Sequence, residues 1–169
     1  MSEPATDAVV TVCIDFKNPK AYLAIAPTFA LEDELKIAFD WQPVRVSPLT
    51  RPVPGRAEDD RGTQHRRLRA QYHEREHRRY AALYGVALGD LYRNPDPTVA
   101  HIGLLWSNSQ SHAIARRYID AVFKRYWAEQ LDLADATAIG GVLRDVGANV
   151  TGWDEYVATS GRPAMEDVQ

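Results

Sequence analysis

The sequence of 169 residues has a single cysteine, Cys13, so no disulfide can form within the chain. Exchange by a Cys-x-x-Cys pair is excluded for the same reason. No apolar run approaches the roughly 18 residues needed to cross a bilayer, and no membrane partner is expected. The first ten residues carry two acids and no basic side chain, unlike the start of a secretory signal. A reducing, cytoplasmic setting is the expectation. A strong excess of one charge is missing too, since the net charge is −3 with a pI near 5.9. The charge is uneven: −4 over residues 1–60, +5 over 61–80 and −4 over 81–169. Nucleic-acid binders usually carry a basic domain as a whole, so the basic stretch reads as the solvated face of one helix and no nucleic-acid partner is expected.

What is present is the balance of a globular domain, 45% apolar and 25% charged. Val9 to Ile14 is a short, β-branched, nearly continuous apolar run, the pattern of a strand covered on both faces, and it places Cys13 in the core. Asp15 to Pro19 breaks the strand. A helix follows from about Ala21, which Pro27 is expected to bend or shorten. Ile37, Phe39 and Trp41 alternate with polar neighbours and predict a second strand ending at Pro43. Residues 44–60 are proline-rich and read as an exposed connection. Everything after reads as helix. The segments run from about 60 to 84, from an Asp96 cap with Pro97 in the first turn, over the stripe Ile114 to Trp127, over Ile139 to Val146, and from Trp153 to Thr159. The fold class is α/β, a β-α-β half over 1–55 followed by a helical domain over 56–169.

His73-Glu74-Arg75-Glu76-His77 matches the zinc pattern H-E-x-x-H letter for letter. Two histidines at i and i+4 can share a metal, but a catalytic zinc also needs a third protein ligand and a dry wall. The segment is instead saturated with charge, and Arg75 and Arg78 would stand beside the cation. It reads as a charged helix face with Glu–Arg pairs, and no metal is expected.

The segment joining strand to helix, Asn18-Pro19-Lys20-Ala21, lies where free backbone N–H groups and the helix dipole stabilise an anion or thiolate. Asp15-Phe16-Lys17-Asn18-Pro19-Lys20-Ala21-Tyr22-Leu23-Ala24 resembles the D-F-x-S-P-Y-A-Y-L-A opening of 2-hydroxychromene-2-carboxylate isomerases and kappa-class glutathione transferases, members of the DsbA-like thioredoxin group. Asp40-Trp41-Gln42-Pro43-Val44 resembles the W-R-P that closes their second strand. The stretches Arg79–Gly85, Asn94–Pro97 with the Trp106 helix, and Tyr118–Leu143 resemble the helical domain inserted into their fold. The resemblance spans about residues 9–160.

The resemblance implies a thioredoxin-like β-α-β unit with a large helical insertion. It also implies a thiol-dependent isomerase or transferase that binds glutathione or another low-molecular-weight thiol and acts on a small-molecule substrate. Asn18 stands where the family has a serine that steadies the thiolate. Its amide can donate to the thiolate in the serine's place, or the residue serves simply as the helix N-cap. Pro19, Lys20 and Ala21 complete the implied cofactor-binding segment, with Lys20 in place of a tyrosine and able to attract an anion. The family's C-terminal strands, with their cis-proline, have no counterpart before Gln169. The strand at 9–14 therefore has one predicted neighbour, which implies a homo-oligomer, a second thioredoxin-like chain that completes the sheet, or a fragment. A non-catalytic, degenerate subunit or scaffold is the rival to the enzyme.

Overall fold

A computed structural model describes residues 10–52 and 60–166. Strand β1 (Thr11–Ile14) leads into helix α1 (Pro19–Leu35), which returns the chain to strand β2 (Asp40–Pro43). The strands are parallel, with Thr11 opposite Asp40 and Ile14 opposite Pro43, as a helical crossover requires. Among the described residues the sheet has these two strands only. Among the described residues six helices follow: α2 (Arg61–Tyr84), α3 (Thr98–Asn108), α4 (His112–Trp127), α5 (Ala136–Asp145), α6 (Trp153–Ala158) and α7 (Gly161–Glu166). The architecture is a β-α-β unit followed by a large helical region, its sheet limited to two strands among the described residues.

One strand of the expectation is corrected. Ile14 is buried and Val12 half-buried, while Thr11 and Cys13 are exposed. Side chains alternate along a strand, and only the Val12/Ile14 face meets the helices. Cys13 is thus a surface thiol rather than a core residue. Val9 lies outside the described residues. The second strand begins at Asp40, not at Ile37. Lys36 turns into the left-handed region at φ 56°, and the Phe39 N–H donates to Glu32 Oε1 at 2.6 Å, so β1 does not take up that stretch.

Helix α1 runs unbroken through Pro27 for 17 residues, against the expected shortening. Pro27 is exposed, so water can satisfy the carbonyl it leaves without a donor. Beyond it, Phe29 packs edge-on against Trp41, and Glu32, 2% exposed, meets His112 and Arg116 of α4. At the other end of the chain, α7 extends the helical region past Gly161, beyond the last helix the sequence pattern suggested.

The core is centred on α3, whose residues Thr98–Leu104 are all buried. It packs against β2, α4, α5 and α7. Phe16, fully buried just after β1, meets Phe123 and Tyr118 of α4, and Tyr22 of α1 stacks on Phe123 and Trp127. These rings lock the β-α-β unit onto the helices through one apolar cluster. Gly103 makes the α3–α4 approach possible, because a Cβ there would collide with the Tyr118 hydroxyl that donates to the Ala100 carbonyl at 2.8 Å. The helix end at Tyr84 is closed by Gly85 at φ 64°, as its sequence position suggested.

Candidate functional site

The site is built by the turn between β1 and α1. Asp15, 1% exposed, accepts the Lys17 N–H at 3.2 Å and the Val46 N–H at 2.9 Å. One carboxylate thereby ties the start of α1 to the segment leaving β2. His101 of α3 lies beneath it, with Nε2 3.4 Å from Asp15 Oδ1 and both side chains fully buried. On this support Asn18 adopts an extended conformation, and its Oδ1 accepts the Lys20 N–H at 3.0 Å, an N-cap with Pro19 in the first helical position. Oδ1 is therefore engaged, which leaves the amide NH2 as the part of Asn18 that can serve a ligand.

A cleft of about 180 Å³ opens at this helix N-terminus. Asn18, Pro19 and Lys20 line it, together with Lys17, the extended residues Val46–Leu49, and Leu91 and Arg93 from the segment after α2. Ala21 does not line it and packs instead against the apolar cluster. Three cations stand at the cleft: Lys17, whose Nζ donates to Asn94 Oδ1 at 2.9 Å, the exposed Lys20, and Arg93, which lies over the Tyr126 ring. No carboxylate stands among the described residues that line it. Burial pushes the Tyr126 hydroxyl up to about 12, so beneath Arg93 it stays a neutral phenol. The described lining of the cleft is therefore positively charged.

Of the residues lining this cleft, the sequence pattern pointed to Asn18, Pro19 and Lys20 but not to Arg93 or Leu91. These come from a segment more than seventy residues away, and no local pattern marks their return. The sequence pattern also put His77 on a solvated helix face. The Glu–Arg pairs of that face do form, Glu76 with Arg79 at 3.0 Å and Glu74 with Arg78 at 3.5 Å. His77, however, is only 6% exposed and turns towards α1. Burial, then the nearby Lys20 and His73, holds its imidazole below the ordinary histidine range. Among the described residues no group of three or more His, Cys, Asp or Glu side chains is arranged to hold a metal, and no helix is long and apolar enough to cross a membrane.

The family model for the DSBA-like thioredoxin domain matches residues 9–165, and the chain belongs to that family. Among solved structures it is similar to 2-hydroxychromene-2-carboxylate isomerase (HCCA isomerase), with a TM-score of 0.68 and 18% sequence identity, over 95% of this chain and 77% of that one. No curated protein matches the sequence.

Proposed function

We propose that the chain binds a low-molecular-weight thiol of the glutathione type at the N-terminus of α1 and serves as an isomerase or transferase on a small molecule. The observation that carries this reading is the charge of the cleft, where Lys17, Lys20 and Arg93 surround the Asn18 cap without an opposing carboxylate among the described lining residues. Glutathione carries carboxylates and, when ionised, a thiolate, so such a field draws it in. A bound thiol would supply a sulfur nucleophile. The chain's own residues would orient it: the Asn18 amide donates to the thiolate, and the first-turn N–H groups and helix dipole favour its negative charge. The single cysteine of the sequence removes disulfide exchange by a cysteine pair. The similar solved structure bears the name of an isomerase, which supports non-redox chemistry on the same fold.

Titration calorimetry with glutathione tests this. Wild type is expected to bind, and Lys20→Glu to bind about tenfold more weakly or worse, because it sets like charges together. No heat at millimolar glutathione ends the proposal. A second reading, a non-catalytic subunit or scaffold, draws on the sheet. Thr11 and Cys13 are exposed on the sheet face turned away from the helices, and among the described residues β1 pairs with β2 alone, so a second copy or another thioredoxin-like chain would cover its free edge. Light scattering that finds a folded species of one chain's mass, 19.0 kDa, contradicts the partnered form.

A further inference from the structure

We propose that the outer face of α1 and α2 docks an acidic amphipathic helix of a partner protein, whose apolar side chains seat between α1 and α2 and whose carboxylates meet Arg69 and Arg75. Of the ten large apolar side chains exposed among the described residues, seven stand on these two helices and none on α3, α4 or α5. Their arrangement is regular. Along α1, Ala24, Pro27, Leu31 and Leu35 are exposed at steps of three, four and four, which is one helical stripe. Along α2, Leu68, Tyr72, Tyr80 and Tyr84 lie on a single i, i+4 ridge, and its three tyrosines line a groove with Ala24 and Pro27. The ridge runs about 24 Å from Leu68 to Tyr84. A straight, concave apolar track of this length receives a helix through anchors at i, i+4 and i+7.

Charge selects the occupant. Helix α2 carries seven arginines and two glutamates, in a chain whose net charge is −3. Glu74 and Glu76 are taken up by Arg78 and Arg79 of the same helix. Arg69 and Arg75 are exposed, and among the described residues no carboxylate forms an ion pair with either. A second copy of the chain paired through this face would set arginine against arginine. A nucleic acid would satisfy the arginines and leave the leucines wet, and a flat lipid surface cannot enter the groove. An acidic helix answers the apolar track and the free arginines together. The inference does not rest on the thiol-site reading, since neither the cap at Asn18 nor Arg93 takes part in it.

The probe is a displayed library of helices of about sixteen residues, matched to the ridge, with leucine fixed at i, i+4, i+7 and i+11 and the flanking positions randomised among Glu, Gln and Lys. Selection on the full wild-type chain is expected to enrich glutamate at the flanks. The leading peptide, followed by fluorescence anisotropy, should bind Arg75→Glu about tenfold more weakly, and lysine in place of its glutamates should restore binding to that variant. Tyr84→Ala, at an exposed position on the ridge, should weaken the peptide by about fivefold. Amide shifts of the wild-type chain give a reading that needs no variant, with movement expected at 24–35 and 68–84. Failure to enrich any peptide, enrichment of lysine or glutamine, or shifts centred outside the two helices overturns the proposal. Should no acidic peptide bind while the face instead holds phosphatidylglycerol vesicles, single-stranded DNA or a second copy of the chain, the surface is real but its occupant is another, and the proposal falls.

Discussion

The block of α3, α4 and α5 and the crossing of α1 with α2 lie side by side and are built on opposite terms. In the first, Ile102, Leu104, Ile119, Phe123, Ile139 and Leu143 are fully excluded from water, and Gly103 and Tyr118 fit at contact distance. In the second, α2 buries only His77 and Ala81 over 24 residues, and hollows run along its length. Close packing leaves no room for a ligand, and a loosely packed crossing contributes little to stability. The molecule therefore separates the two tasks. Its helical block holds the turn before α1 in place from below through Phe16 and Asp15, and the crossing above that turn stays open.

Substitutions on the two sides should differ accordingly. Phe123→Ala, which removes the ring between Phe16 and Tyr22, should cost about 3–5 kcal/mol, measured by urea denaturation. A loss no larger than that of a surface substitution would erase the distinction. Asp15→Ala strands the Lys17 and Val46 N–H groups and should cost about 1–3 kcal/mol, with loss of glutathione binding as the turn loosens. On the open side the effects shrink. The folded pKa of His77 lies below its unfolded value, so the unfolded chain binds the proton more readily, and stability should fall as pH drops through the ordinary histidine range near 6.5. Melting temperatures between pH 7.5 and 5.5 should show a component that vanishes in His77→Phe. Glu76→Gln, which breaks an exposed pair with Arg79, should leave the melting temperature unchanged.

The same contrast explains what could be read from the sequence. Helix α2 announces itself through an Asp60 cap, a run of helix formers and Gly85, and Asn18-Pro19 marks the start of α1, because caps are local chemistry. The membership in the thioredoxin-like family is likewise written in a contiguous stretch, residues 15–24. What escaped depends on distance or on faces. Cys13 and Val12 are equally apolar neighbours, and only the placement of the helices decides which meets water. Ile37 continues the strand alternation of Phe39 and Trp41, but the side chain of Glu32 claims the backbone there. His77 sits among charged residues that are exposed, and its burial comes from α1, nearly sixty residues earlier. Arg93 joins Lys20 across a gap of the same kind.

The central claim is that the turn opening α1 is a ligand site while the helical block is its scaffold. Backbone amide shifts recorded during a glutathione titration test it most directly. The account predicts movement concentrated at residues 17–21, 46–49 and 93, with the amides of α3 and α5 unmoved. Shifts absent from 17–21, or centred within the helical block, would contradict it.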